Sequence, residues 1–382
     1  MGNRLIPFVD PAIDDAEIQA VIEVLKSKNL VEGPRVHSFE SKFAKFANTK
    51  HAIACTNGTV ALHLAMESSP LKPGDEILTT PFTFIATSNS ILYTGAVPKF
   101  VDIDPETWNL DPDLVRKSIT PKTKAIMPVH IFGLAADMKV YREIADEHGL
   151  YLIEDAAQAH GARIDNHHVG GFGDVGIFSL YVTKNLISGE GGVVTTNSDE
   201  LAEKIVSLKN HGRTSKGGYY HEIVGFNARM SDVIGAIADV QMDKINDLLV
   251  RRKAIAEQYR AFIDEVNDLD YQHVPKGFDH GNYIFALDTR KNKIKPEVAV
   301  KQLKELGVLA RPIYTTLSYQ QKHFTNLSTW RWSQFVDYPN YSKVKCPVAE
   351  DVALNHFEIP VVPSLTNDEV ETVKNAIHTV FA

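Results

Sequence analysis

Apolar residues recur along this chain in two rhythms. Near the start Ile18, Val21, Ile22 and Leu25 are spaced by three and four, with Pro11, Asp14 and Asp15 ahead of them. That spacing predicts an amphipathic helix with acids near its positive end. A loop is predicted over 29–36, and Phe39, Phe43 and Phe46 then predict a short second helix. From His51 the rhythm changes to short unbroken apolar runs, at 51–55, 76–80, 97–101, 125–128, 151–153 and 175–181, with another beginning after the glycines at 189–192. Helical patterns lie between most of them, at 84–92, 138–148 and 201–208 among others. Runs without strict alternation suit strands buried on both faces, so the predicted class is α/β with a largely parallel central sheet.

Residues 210–229 are polar, glycine-rich and long for a connection, which marks a functional or mobile loop. A helical tract follows from Ser231 and Asp232, its capping candidates, to about residue 266. It exceeds an ordinary helix, and a bend or break is expected where it crosses into a second domain. The texture then becomes mixed: a strand at 283–287, a helix at 295–306, dense aromatics at 324–341, and a terminal helix at 365–381 capped by Thr366. The predicted division is a large domain over 1–250 and a smaller α+β domain over 251–382.

Composition narrows the function. The 382 residues are 44% hydrophobic and 23% charged, as in a globular protein. A net charge of -8 with no basic stripe argues against a nucleic-acid partner. Two cysteines, Cys55 and Cys346, exclude a disulfide framework and a cysteine-rich metal site, and no metal is expected. No leader-like or membrane-length apolar run is seen, so the expected location is cytoplasmic.

Candidate chemistry gathers at strand ends. The run at 151–153 ends in Glu154 and Asp155, with Gln158 and His160 close behind. The run at 175–181 leads to Lys184, and 51–55 leads through Asn57 and Gly58 into a helix whose first N–H groups can meet an anion. Each residue has an ordinary alternative, since strand-end acids often cap helices and most lysines face solvent. A phosphorylated pyridine aldehyde would use them all. Gly58, Thr59 and Ser179 would cradle its phosphate, Phe84 would cover its ring, Asp155 would keep its ring nitrogen protonated, and Lys184 would join its aldehyde.

At these residues the chain resembles the DegT/DnrJ/EryC1/StrS family of pyridoxal-phosphate-dependent nucleotide-sugar aminotransferases. The matching pieces are TNGTVALHLAM (56–66), PFTFIATSNSILYTGAVPKFVDID (81–104), PVHIFG (128–133), LIEDAAQAHGA (152–162), GDVGIFSLYVTKNLISGEGGVV (173–194), KNHG (209–212), GFNARMSDVIGAI (225–237) and IPVVPSLT (359–366). They run in order over nearly the whole chain. The resemblance implies the fold type I of aspartate aminotransferase. It makes Lys184 the covalent lysine and proton carrier, Asp155 the partner of the pyridinium, and Gln158 a neighbour of the phenolic oxygen. Gly58, Thr59 and Ser179 become phosphate ligands and Phe84 the stacking ring. Asn227 reaches the phosphate held by a neighbouring subunit, which implies a homodimer with shared sites.

The implied reaction takes an amino group from L-glutamate, releases 2-oxoglutarate, and aminates C3 or C4 of a nucleotide-activated keto-sugar for amino-sugar or polysaccharide synthesis. A 3-deoxygenating branch of the family has histidine where this chain has Lys184, so transamination is favoured. The segment 311–320 departs from the family's histidine-containing pattern, with Tyr314 in that neighbourhood as a substrate contact. His211, in the glycine-rich loop, is another. Two rivals remain: an aminotransferase of a cyclitol or other non-nucleotide ketone, and a non-catalytic cofactor-binding regulator, against which intact Lys184, Asp155 and Ser179 speak.

Overall fold

A computed structural model describes residues 5–214 and 219–381. Its centre is a sheet of seven strands: β1 (His51–Cys55), β2 (Glu76–Thr79), β3 (Val97–Phe100), β4 (Thr123–Met127), β5 (Tyr151–Asp155), β6 (Val175–Ser179) and β7 (Gly192–Thr196), in spatial order β1-β7-β6-β5-β4-β2-β3. The pairs within β6-β5-β4-β2-β3 are parallel. Strand β7 runs antiparallel to both of its neighbours. The sheet is therefore largely parallel, as its unbroken apolar runs require of strands covered on both sides.

Helices α1 (Asp15–Ser27), α2 (Pro34–Ala47), α3 (Gly58–Ser68), α4 (Ala86–Tyr93), α5 (Pro112–Ser118), α6 (Met138–His148), α7 (Asp199–Lys209) and α8 (Asp232–Ile263) surround it. One face buries Ala54, Leu78, Ile126, Leu152, Phe178 and Val193 against α2, α6 and α8. The other buries Ile53, Ile77, Met127, Ile153, Ile177 and Val194 against α3, α4 and α7. Successive residues of a strand point to opposite faces. Asp155 therefore shares the side of Ile153, toward α3 and α4, while Glu154 takes the side of Leu152.

The expected break in the long helix does not occur: α8 is one helix of 32 residues, capped by Ser231. Its first half packs into the core under the sheet through Ala238, Met242 and Ile245. Its second half enters the C-terminal core through Ile255, Ala256, Tyr259 and Ile263. Apolar cover continues along the whole helix and no proline interrupts it, so nothing forces a kink. At Gly235 an added Cβ would lie 2.6 Å from Val36 Cγ2, which shows how closely α2 and α8 approach.

The C-terminal part is built on β8 (Phe285–Asp288) and β9 (His356–Ile359), antiparallel partners, with Asp270–Tyr271 on the other side of β8. Helices α9 (Pro296–Glu305), α10 (Pro347–Leu354) and α11 (Asn367–Phe381) complete it. Residues 324–341 do not form a separate unit. Trp330 and Trp332 donate their indole N–H groups to the carbonyls of Leu92 and Tyr93 at the end of α4 (3.2 and 3.0 Å), tying this aromatic stretch to the large domain.

Candidate active site

The C-terminal ends of β1, β5 and β6 bring the candidate residues to one edge of the sheet, where ligands of open α/β sheets sit. Asp155 closes β5 and is 3% exposed. Its Oδ2 accepts from the Thr87 hydroxyl at 2.7 Å, and its Oδ1 from the N–H of Ala157 at 3.2 Å. Burial pushes its carboxyl above the ordinary range; the Thr87 and Ala157 hydrogen bonds and the charges of His130 and Lys184 oppose that only in part. The carboxylate is thus desolvated and short of positive charge.

Lys184 lies in the turn after β6, where its N–H donates to the carbonyl of Tyr181 at 2.8 Å. Its Nζ stands 4.0 Å from the centre of the Tyr283 ring. The turn is fastened from both sides. Thr183 Oγ1 and Tyr283 Oη share a hydrogen bond of 2.9 Å, and the Asn185 amide donates to the carbonyls of Gly281 (2.6 Å) and His160 (3.3 Å). A flexible lysine is therefore delivered from a rigid base.

Helix α3 supplies an anion cradle. Its cap, Asn57, accepts from the N–H of Val60 with Oδ1 and from that of Ala61 with its carbonyl, both at 2.9 Å. The first N–H groups of a helix have no partner inside it, so those of Gly58 and Thr59 remain available at its positive end. Gly58 also sits where a side chain does not fit: an added Cβ would lie 2.7 Å from Ser179 Cβ. The close approach brings the end of β6, with its serine hydroxyl, against the start of α3.

Phe84 stands two residues before α4 and is 57% exposed, an unusual position for a large ring. Its carbonyl accepts from the N–H of Thr87 at 3.2 Å, so one turn of chain sets both the ring and the hydroxyl that holds Asp155. Gln158 is buried and occupied at both ends: Oε1 accepts from the N–H of Phe132 at 2.9 Å, and Nε2 donates to the Tyr314 hydroxyl at 3.2 Å. Tyr314 stacks on Phe132 with centroids 6.0 Å apart. Burial raises its hydroxyl pKa well above the ordinary value, so it stays protonated.

Asn227 and His211 are exposed and lie on the glycine-rich loop, whose end is joined to the end of β1 by the Thr56 N–H donating to the carbonyl of Ala228 at 3.1 Å. Backbone bridges join Asn210 to Asn227 and Arg213 to His221, giving the loop a folded base. Residues 215–218 of that loop lie outside the described residues.

Three participants carried no strong sequence signal. Thr87 sits in an ordinary helical pattern, and Tyr283 in a strand pattern. Glu154 was visible only as the first of two adjacent acids, which a strand sends to opposite faces. Its fully buried carboxylate accepts from the N–H groups of Gly170, Phe172 and Gly173 at 2.7–2.8 Å. His130 Nδ1 accepts from the N–H of Ala136 at 2.9 Å, which leaves Nε2 to donate to Glu154 at 3.2 Å. The pair fastens the loops flanking β5 from the opposite side to Asp155.

An amine, a buried carboxylate lacking a cation, an uncovered aromatic ring and a cluster of N–H and O–H donors at a helix start fit a planar, protonated, phosphorylated ring. The largely parallel sheet, with one antiparallel strand, is that of the type I pyridoxal-phosphate transferases. The sequence profile of the DegT/DnrJ/EryC1/StrS aminotransferase family matches residues 11–378, and the chain belongs to that family and is an aminotransferase. It is 33% identical to the spore coat polysaccharide biosynthesis protein SpsC of Bacillus subtilis, over 99% of this chain and 97% of that one. It is 32% identical to GDP-perosamine synthase of Escherichia coli O157:H7, over 99% of each. The crystal structure of S. venezuelae DesV in complex with a ketimine intermediate superposes with a TM-score of 0.89 at 31% identity, covering 98% of both chains.

Proposed function

We propose that this aminotransferase uses pyridoxal 5′-phosphate to move the amino group of L-glutamate onto a keto group, at C3 or C4, of a nucleotide-activated sugar. The observation that carries the reading is the buried Asp155 carboxylate at one strand end with the Lys184 amine in the turn after the next. Likeness to GDP-perosamine synthase and DesV supports the sugar as acceptor.

When bound, the cofactor supplies an electron sink and stores the amino group between the two half-reactions. Gly58, Thr59 and Ser179 hold its phosphate by N–H and O–H donation. Phe84 covers the ring, and burial of that ring accounts for the exposure of Phe84 without it. Asp155 supplies the negative charge that keeps the ring nitrogen protonated, and the cation in turn relieves the desolvated carboxylate. Lys184 would anchor the cofactor through its amine and, when that amine is free, would carry the proton as a general acid and base. Gln158 would lie near the phenolic oxygen, and Tyr314 and His211 would be contacts of the sugar or its nucleotide.

The exposed Asn227 reaches the phosphate of a second copy's site, so the working form is a homodimer with shared sites. Incubating the cofactor-loaded protein with L-glutamate and a panel of nucleotide keto-sugars, followed by mass spectrometry, tests the reading. Formation of 2-oxoglutarate with a matching nucleotide amino-sugar supports it. Amination of non-nucleotide ketones alone would replace the acceptor.

A further inference from the structure

Asn185, Gln241 and Arg252 are buried, at 4%, 0% and 5% exposure. Each keeps one polar atom without a protein partner among the described residues: Asn185 Oδ1, Gln241 Oε1 and Arg252 Nε. All three residues line one cavity of about 20 Å³ beside the Lys184 turn, whose wall also includes Lys184, Ala12 and Val362. The rest of each side chain is committed. The Asn185 amide donates to the carbonyls of Gly281 and His160, and Gln241 Nε2 donates to the carbonyl of Ala12 and to Glu17 Oε1, both at 2.7 Å. Those bonds decide which end of each amide is the oxygen. Arg252 Nη1 donates to the carbonyls of Asn282 (3.4 Å), Tyr283 (3.5 Å) and Val361 (3.2 Å). Burial lowers the guanidinium pKa to about 10, which leaves it a cation and a donor at neutral pH.

Two amide oxygens and one N–H on a single small cavity select their ligand. The oxygens, with the Asp10 side chain on the same wall, oppose an anion, and the guanidinium opposes a metal cation. A water molecule donates twice and accepts as well, which matches two acceptors and one donor, and the cavity has room for one. Bridging through water is nearly as favourable as a direct hydrogen bond, whereas buried polar atoms left unpaired are costly. We infer that Asn185 Oδ1, Gln241 Oε1 and Arg252 Nε bind an internal water that positions the turn carrying Lys184.

This water joins three segments of chain at the reacting amine. Gln241 brings in the N-terminal segment through Ala12, Arg252 brings in the segments before β8 and after β9, and Asn185 is the neighbour of Lys184. Tyr283, whose carbonyl Arg252 holds, also presents its ring to Lys184 Nζ and shares a hydrogen bond with Thr183. Arg252 therefore acts on the lysine from two sides. An amine that must meet a fixed atom loses rate steeply when its base shifts by about 1 Å. Arg252 and Gln241 are positioning residues in this sense. The inference rests on the reading of Lys184 as the reacting amine but not on the identity of the acceptor.

The test joins crystallography of the cofactor-loaded protein to the variant Arg252→Lys, which keeps a cation for the three carbonyls but has no Nε–H. The wild type is expected to show an ordered water within hydrogen-bond distance of all three atoms, and the variant to lose it. In the single-turnover reaction with L-glutamate, Arg252→Lys is expected to lower the limiting rate roughly 10–100-fold, with the half-saturating concentration changed by less than about twofold. It is also expected to weaken the visible circular dichroism of the bound cofactor, which reports how the ring sits on the lysine and which a loss of stability alone does not move. A wild-type cavity with no water on these atoms overturns the inference. So does Arg252→Lys with the limiting rate and visible circular dichroism of the wild type. Should that variant fail to fold, Gln241→Leu, read by the same two signals, decides in the same way. If the water and its effects are found while no nucleotide sugar is aminated, the sugar reading fails and the positioning site stands.

Discussion

The hydroxyl of Thr87 donates to Oδ2 of Asp155 across 2.7 Å, joining α4 to the end of β5 over 68 residues of sequence. Among the described residues it is the one side-chain hydrogen bond that this buried carboxylate receives. One hydroxyl and one N–H offset only part of the cost of burying a charge. The fold therefore holds an acid whose ionised form lacks a counter-ion until a cation arrives.

A pH dependence with a definite sign follows. The Asp155 pKa is raised above its ordinary 3.8 in the folded chain, so folding favours its protonated form. The penalty for ionised Asp155 is absent below 3.8, grows as pH rises through the window up to the raised value, and is complete above it. Asp155→Asn is expected to raise the thermal unfolding midpoint of the cofactor-free protein at pH 7–8, and the advantage to shrink toward acid. Scanning calorimetry of both proteins across pH checks it. The same substitution removes the proposed partner of the ring nitrogen and is expected to slow turnover by at least roughly 100-fold.

Gly58→Ala places a methyl group 2.7 Å from Ser179 Cβ, closer than atoms of a packed protein tolerate. Either α3 or the end of β6 must shift, and both carry the proposed phosphate donors. Cofactor affinity is expected to fall by about tenfold or more, in line with the loss of one charge-assisted hydrogen bond. Equilibrium dialysis against pyridoxal phosphate measures it, with circular dichroism to confirm that the fold is kept.

Phe84→Ala separates binding from folding. A ring that is 57% exposed contributes little to the core, so the unfolding midpoint of the cofactor-free protein is expected to stay nearly unchanged. Stacking between aromatic rings is worth about 0.5–1.5 kcal/mol. The cofactor dissociation constant is therefore expected to rise by up to about tenfold. A large drop in stability without the cofactor would show that the ring serves the fold instead.

Glu154→Gln should act in the opposite way. Three backbone N–H groups and His130 converge on a carboxylate that is fully buried. An amide cannot accept from all four, and each buried donor left unsatisfied costs about 1–3 kcal/mol. The variant is expected to lose that much folding stability in urea titrations before any effect on chemistry is counted.

Much of this was legible in the sequence. Unbroken apolar runs announced strands covered on both faces, and acids or a lysine at their ends marked the edge where a ligand binds. The antiparallel course of β7 was not legible, because a buried strand has the same composition in either direction. Strand β9 escaped notice for a similar reason. His356, Phe357, Glu358 and Ile359 show only a short alternation, and Glu358 looks like a surface acid until Arg311 is found beside it. Thr87 and Tyr283 were hidden because their roles depend on contacts with residues distant in sequence. The break expected in α8 reflected its length, but a helix can continue unbroken when each of its halves has a core of its own to enter.

The most direct measurement is chemical. The purified protein is supplied with pyridoxal phosphate, reduced with borohydride, digested and mapped by mass spectrometry. A pyridoxyl group on the peptide carrying Lys184, absent from Lys184→Ala, is the expected result. An unmodified Lys184 after reduction, or an equal adduct spread over surface lysines, would contradict the assignment on which the proposed reaction depends.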